Sequence, residues 1–572
     1  MGVAIKSQRH YNLYSFNTET LLQKFLQNNP QTGNLGSLVQ VFITRATELL
    51  ASPNSDNVML AWQTFNALFV IRAVSKYLVE MVPEYELCQH LDVQADRRLA
   101  TGPVEIREAV EVAVSTRPLV LHKHKHKHRQ EKNYNLSLRL PSKSPNYYCF
   151  SDNTYYLHLE CINTILVLMS VYMFAVHHHQ AVLPDVIFYF YPNLKLFLLK
   201  REHPVANQSC LLLLALANHF MNDDNLYRNA LLTCQDSAGK LSCVLRSRTH
   251  FTLLLYLLLH ACGAYKRHVS SVPHLENLVI PILQVLYNAP EYSSHHIYMS
   301  LIVLLILTEY DALIKNVHTV MLKNLTWYNE RAISEISLGG LMVLVILRAL
   351  QYNMARARDK YLHTNCLAAV ANMSCEFRNL HPYVAQRLIS LFETLTKRRA
   401  RLCNEIEVGV FVWRYLFIYC NPQMDHISVL DEVLRMLIEI INSCLAHQLP
   451  SNLNVVYALL HKRHLFQQHH AQPVAQNIEM VIGYFSTRLQ RVQEGAGGDL
   501  GVTEVLQCIK KGAEQWSSDR LKKFPDLKFR YVEEEKPEEF FTPYVWGLVS
   551  GCGGVYWASE GGARALRDLL AC

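Results

Sequence analysis

The stretch VLDEVLRMLIEIINSCL, residues 429–445, decides the fold class. Its apolar side chains Val429, Val433, Met436, Leu437, Ile440, Ile441, Cys444 and Leu445 fall at offsets 0, 4, 7, 8, 11, 12, 15 and 16. That recurrence is one continuous face of an α-helix and has nothing of a strand's alternation. Ser428 precedes the stripe with Asp431 three places on, which predicts a capping-box-like start with Asp in place of the usual Glu or Gln. Upstream, YVAQRLISLFETLT (383–396) repeats the pattern through Val384, Leu388, Leu391, Phe392 and Leu395.

Outward from these two, apolar runs begin near residues 210, 252, 277, 296, 338, 362, 383, 429, 453 and 476. Many neighbours are spaced by about 20–25 residues, so a pair occupies roughly 40–47, the period of helix-pair repeats of the HEAT/armadillo sort. LIVLLIL at 301–307 is apolar on every side and needs neighbours on both. Stacked helix pairs provide them, because each repeat buries its face only against the next. The expected fold is all-α: an extended α-solenoid-like array of helix pairs with irregular insertions.

The organisation expected is a helical N-terminal region (1–90), an irregular insertion (91–150), an apolar helical segment (151–204), a central array (205–400), a second insertion (401–426), C-terminal repeats (427–515) and a docking strip with tail (516–572). GAGGDLG at 495–501 reads as a turn between helices. The strip from Arg520 places a basic, an acidic and an aromatic block within 30 residues.

Composition agrees. Of 572 residues, 50% are hydrophobic and 18% charged, and the 21 Gly and 20 Pro are few for the length. Average usage is about 25% charged and about 12% Gly plus Pro, so collagen-like, low-complexity and turn-rich all-β chains are excluded. The net charge of +7 is mild and not gathered into a stripe, so no nucleic-acid partner is expected. Fifteen cysteines include no C-x-x-C pair. Cys366 and Cys444 sit inside apolar helical patterns, where a free thiol acts as a small hydrophobe, and a reducing compartment is expected. N-x-S/T triplets at Asn135, Asn207, Asn324 and Asn372 arise readily by chance and do not indicate secretion.

The opening residues carry no secretory apolar region. They begin Met1-Gly2, but a myristoylation site wants Ser or Thr at position 6, where Lys6 stands, with Ser7 one place late. The longest uncharged stretch near the middle is CINTILVLMSVYMFAVHHHQAVLP, 161–184. It has roughly 16 apolar residues before its histidines, against about 20 for a span. A buried helix is the expectation there, and an integral membrane protein spanning at about 161–184 is the alternative.

Catalytic signatures are missing. There is no G-x-S-x-G, H-E-x-x-H, P-loop or G-x-G-x-x-G. An unrecognised Cys/His hydrolase is the remaining enzymatic rival. His122, His124, His126 and His128 alternate with lysines that repel a cation, so they read as a solvated loop, not a metal site. His177, His178 and His179 end an apolar run, and His295 and His296 read as core-edge residues. No catalytic residue, cofactor or metal is therefore expected. The basic residues of 397–401 and 520–530 read first as solvated runs, and contact with acidic headgroups, at about 1 kcal/mol each near such a surface, is the alternative. Candidate membrane or partner contacts are Arg520, Lys522, Lys523, Lys528, Arg530, Glu533, Glu534 and Glu535.

Several long words carry a resemblance. They include NNPQTGNLGSLVQVF (28–42), WQTFNALF (62–69), ANQSCLLLLALAN (206–218), LKNLTWYNERAISEISLGGL (322–341), QYNMARARDKYLHTNCLAAVANMS (351–374), NVVYALLHKRHLF (454–466) and DRLKKFPDLKFRYVEEEKPEEFFTPYVWGLV (519–549). With these words the chain resembles the dymeclin family over about two-thirds of its length. The resemblance implies a non-enzymatic, peripheral protein of the cytoplasm and the cytosolic face of the Golgi apparatus. It implies a need in Golgi organisation and ER–Golgi vesicle traffic, and a role in skeletal and brain development. The implied partners are Golgi trafficking proteins and the Golgi membrane surface. It also implies a lipidated N-terminal glycine, here Gly2, from which Lys6 departs. Residues 91–150, 177–204 and 401–426 carry none of these words.

Overall fold

The computed structural model describes residues 16–51, 58–83, 152–170, 204–218, 249–261, 274–412, 422–470, 472–496, 500–533 and 536–552, with isolated positions between them. The chain is all-α. It divides into two compact units, one of residues 1–244 with 534–572 and one of residues 245–533.

The first unit holds α1 (Phe16–Thr32), α2 (Asn34–Ala51), α3 (Val58–Met81), α4 (Asp152–Met169) and α5 (Pro204–Ala217). Each packs on the next, and α3 lies against both α2 and α4. Gly33 takes φ 65°, a left-handed turn open to glycine at no cost, and lets α2 start directly after α1. Asn29 secures the joint: its Oδ1 accepts the Leu35 N–H at 2.8 Å, and its amide donates to the His90 carbonyl at 3.1 Å. Arg72 on α3 is paired with Glu160 on α4.

The second unit is built as two rows. Its helices are α6 (Thr249–Ala261), α7 (Glu276–Tyr287), α8 (Ser294–Thr308), α9 (Asp311–Val317), α10 (Leu338–Tyr352), α11 (Lys360–Ser374), α12 (Pro382–Val412), α13 (Pro422–Gln448), α14 (Leu453–His461), the single turn α15 (His464–Gln467), α16 (Pro473–Ala496) and α17 (Val502–Glu514). One row runs α6, α8, α11, α13, α16, each packed on the next. The other runs α7, α10, α12, α14, α17 in the same way. Sequence neighbours α7 with α8, α10 with α11 and α12 with α13 bridge the rows as pairs. A two-stranded antiparallel ribbon, β1 (Met321–Lys323) and β2 (Glu335–Ser337), sits between α9 and α10. The last described helix, α18 (Pro537–Cys552), belongs to the first unit, where it packs on α5. There the Asn207 amide donates to the Cys552 carbonyl at 2.9 Å.

Each apolar run singled out in the sequence lies on one of these helices. The all-round apolar helix is buried on every side: Met299 through Thr308 have no exposed member. The same holds for Leu338 through Leu347 of α10. At about 1.5–3 kcal/mol for each large side chain buried, such stacking supplies the drive that short helices lack alone.

Three expectations are corrected. The helix carrying 429–445 begins at Pro422, and Ser428 is an exposed residue inside it, not its cap. Proline suits a first helical position, where its missing N–H would have no partner. The second insertion, expected from 401 directly after the basic run KRRAR (397–401), does not begin there, since α12 continues through that run to Val412. Arg398 donates to the Met354 carbonyl at 2.9 Å, and Arg399 pairs with Asp431 on α13. So these cations fasten helices together. Thirdly, the strip expected over 516–572 is not of one kind: 521–533 is extended and Pro537–Cys552 is helical.

Among the described residues two helices have the length and apolar character of a span, Val58–Met81 and 338–356, and the second is 78% buried among its neighbours. α8 and α9 qualify only as a pair bent by 102°. The helix in the 161–184 stretch ends at Met169, and residues 171–184 lie outside the described residues. So do Gly2, Lys6, the 122–129 histidine run and His177, His178 and His179.

Candidate functional site

Three amides interrupt the buried faces of helices in one row of the second unit. They are Asn372 on α11, Asn442 on α13 and Asn477 on α16, all buried. A buried amide costs free energy unless its donors and acceptor are met. Here the partner is the extended segment 521–533, termed the strap.

Asn372 Oδ1 accepts the Phe529 N–H at 2.7 Å, and its Nδ2 donates to the Phe529 carbonyl at 2.9 Å. Asn477 holds Lys522 in the same way, with both bonds at 2.9 Å. Each amide thus does what a neighbouring strand does, meeting the N–H and C=O of one residue. The amides are themselves braced. Asn477 Nδ2 also donates to Asn442 Oδ1 at 2.9 Å, and Asn372 Nδ2 to Thr308 Oγ1 at 3.3 Å. Ser374 Oγ donates to Ser443 Oγ at 2.9 Å, continuing the polar line from α11 to α13.

The strap crosses the row backwards. Lys522 meets α16, Asp526 meets His447 of α13 at 3.2 Å, and Phe529 meets α11. The Tyr531 N–H then donates to Glu309, just past α8, at 2.8 Å. At α6 the Tyr256 hydroxyl donates to Glu533 Oε1 at 2.9 Å. The Tyr531 ring sits edge-on to Tyr256 and to His260, with centroids 5.9 and 5.7 Å apart. From Leu527 onward the strap alternates like a strand. Leu527, Phe529, Tyr531 and Glu533 are partly buried, while Lys528, Arg530 and Val532 are exposed.

Electrostatics follows the contacts. Lys528 is paired with Asp311, and its hydrogen bond holds the Asp311 carboxyl below the usual range. Burial, with Tyr531 and Glu533 nearby, pushes the Tyr256 phenol well above its ordinary value, so it stays a donor. Between its anchors the strap arches over a cavity of about 510 Å³, lined by Glu439, Asn442, Ser443 and Val474 below and by Lys523 and Pro525 above.

The contacts expected from the sequence are placed as follows. Arg520 lays its guanidinium over the rings of Tyr484 (5.3 Å) and Trp516 (5.8 Å). The Lys522 ammonium donates to Gln476 Oε1 at 2.8 Å. Lys528 and Glu533 are engaged within the unit as described, and Lys523 and Arg530 are exposed. Glu534 and Glu535 lie outside the described residues. The structure therefore brings much of the proposed set onto the array itself. Sequence reasoning missed Asn372, Asn442, Asn477, Glu309 and Tyr256. The available signal was an amide inside an apolar run, as in LAAVANMS. Asn372 also heads one of the N-x-S/T triplets, and it has no exposed surface.

Nothing in this arrangement resembles a reactive centre. Burial pushes the Cys444 thiol up to about 12 and raises Cys366 and Cys210 as well. A nucleophilic cysteine needs the opposite shift. Among the described residues no three His, Cys, Asp or Glu side chains gather as metal ligands do. His296 is buried, and burial lowers it to about 4.

The family model described as "Dymeclin: Dyggve-Melchior-Clausen syndrome protein" matches residues 3–193 and 195–548. The matched range spans 91–150 and 401–426. The chain is 43% identical to the dymeclin of Drosophila melanogaster, over 99% of this chain and 93% of that protein. It is 37% identical to that of Gallus gallus and 36% to that of Mus musculus, each over 94% of this chain and 90% of the relative. No solved structure matches. With a model matched over nearly its whole length and relatives aligned end to end, the chain belongs to the dymeclin family.

Proposed function

We propose that the chain is a non-enzymatic, peripheral scaffold on the cytosolic face of Golgi membranes, needed for Golgi organisation and for vesicle traffic between ER and Golgi. The observation that carries this reading is family membership across residues 3–548. The architecture supports it: two rows of helices give a broad surface of side chains, and the buried Asn372 and Asn477 are engaged in holding the strap. The buried, protonated thiols support a non-catalytic role. The basic side chains of the strap, above all Lys523 and Arg530, are exposed for a membrane surface or a trafficking protein.

Alkaline carbonate extraction of membranes tests the reading, in cells that express the tagged full chain in place of the endogenous protein. Release into the supernatant, together with Golgi co-localisation and restored secretory cargo transport, is the expected result. Retention until detergent is added would establish an integral protein instead. Release without Golgi localisation would remove the scaffold reading. A Gly2→Ala chain run beside it tests lipidation, with a smaller membrane fraction expected if Gly2 is acylated.

A further inference from the structure

The grip on the strap acts on main chain, not on side chain. Asn372 and Asn477 engage the N–H and C=O of Phe529 and Lys522, groups that any non-proline residue presents. Main-chain bonds with pockets for alternate side chains are how extended peptides are bound in general. The fit is also incomplete. The two anchors are seven steps apart along the chain, an extended reach of about 23–25 Å. Two helix spacings of about 8–10 Å each need less. The slack is the arch at 523–527, with the cavity of about 510 Å³ beneath it.

One contact on the groove side favours a basic occupant, the carboxylate of Asp311. Glu309 accepts a main-chain N–H, and Glu439 is held by Arg435 of its own helix at 2.7 Å. The strap brings Lys522, Lys523, Lys528 and Arg530 against Asp526 and Glu533. Lys528 is already paired with Asp311.

We propose that this face of the row α6–α8–α11–α13–α16 is a docking groove for an extended basic segment of a partner protein, and that residues 521–533 are its resident, displaceable occupant. The segment that fits carries apolar or aromatic side chains at alternate positions facing the helices, and Lys or Arg between them facing out. This goes beyond the scaffold reading and is independent of where in the cell the chain works. A tethered strap acts at an effective concentration of about millimolar, so a free peptide at micromolar concentration competes poorly with it. Weakening the strap removes that competitor and leaves the groove intact.

The test uses a fluorescein-labelled peptide of residues 521–533, followed by fluorescence anisotropy against the full chain. Phe529→Pro removes the N–H that Asn372 accepts, and Lys528→Ala with Tyr531→Ala weakens the strap by a second route. Expected are no saturable binding to the unaltered chain at micromolar concentration and saturable binding to both strap variants. Adding Asn372→Ala or Asn477→Ala to either variant should weaken that binding roughly tenfold or more. A scrambled peptide of the same composition should not bind. Absence of binding to folded strap variants would overturn the proposal. So would binding that ignores the asparagines or the sequence order, since charge alone then suffices. Loss of helicity in both strap variants would also overturn it, by making the strap a permanent member of the fold.

Discussion

Asn372 and Phe529, 157 residues apart, hold each other by two hydrogen bonds, one in each direction, at 2.7 and 2.9 Å. Replacing Asn372 with Ala leaves the Phe529 main chain without its partner. The expected cost is about 2 kcal/mol, from bonds of about 1 kcal/mol each plus the loss of desolvated partners. Hydrogen exchange gives the residue-level readout. The Phe529 amide should lose protection in Asn372→Ala, while amides of the first unit keep theirs.

Gly339 and His318 make a second tight relationship. A Cβ on Gly339 would fall 2.5 Å from His318 Cε1 and 2.7 Å from both ring nitrogens. The ring is confined by burial and by Phe377, whose centroid is 5.7 Å away. Gly339→Ala is therefore expected to destabilise by about 1–3 kcal/mol through overpacking. Urea denaturation checks this.

Gly483 is the opposite case. It is exposed within α16 and nothing lies within 4 Å of an added Cβ. Gly483→Ala should stabilise by about 0.5–1 kcal/mol, because alanine loses less backbone entropy on helix formation. A rise in urea midpoint with an unchanged slope is the expected signature.

Stability should fall as the solution is acidified from pH 6.5 towards 4. Burial, with Arg378 adding to it, lowers His318 to about 4, and burial lowers His296 to about 4. Both are neutral when folded, while in the unfolded chain they take up protons below about pH 6.5. Protonation therefore favours unfolding, and the stabilisation present above 6.5 is lost as pH falls through 4. For His318 the loss is on the order of 3 kcal/mol, at about 1.36 kcal/mol per pH unit. Thermal unfolding across that range, with His318→Gln as a non-titrating comparison, should show a flatter slope in the variant.

Thiol labelling separates the scaffold from a Cys/His hydrolase. Cys366 and Cys444 should react slowly at neutral pH in the native chain and fully after denaturation, read by mass spectrometry. Rapid native labelling of either would contradict their packing.

Much of the helical train was legible because burial imposes a period. The runs near 210, 252, 277, 296, 338, 362, 383, 429, 453 and 476 each became a helix. Boundaries were less legible. The Ser428 signal is a local hydrogen-bonding motif, and a helix already running from Pro422 gave it no end to cap. The KRRAR run looked like a break because its charges are not apolar, yet Arg399 on α12 faces Asp431 on α13. An ion pair across two helices leaves no periodic trace in either. The strap was least legible of all. Its extended character shows in the sequence, but its partners lie up to 277 residues away, as for Tyr256 and Glu533. Only the buried amides themselves hinted at a missing partner.

The backward course of the strap fixes an order of events during synthesis. Helices of each pair are near neighbours in the chain and meet soon after they emerge, since local contacts form fastest. Lys522 to Glu533 emerge only after every helix they touch. Until then Asn372 and Asn477 lack their main-chain partners, and the row is held by apolar packing and by the short polar line between its helices. A chain cut short before residue 521 would lose contacts at α16, α13, α11, the end of α8 and α6 together. A lesion confined to the last tenth of the chain would thus be felt as far back as Tyr256, and the row would present its unmet amides to cellular quality control.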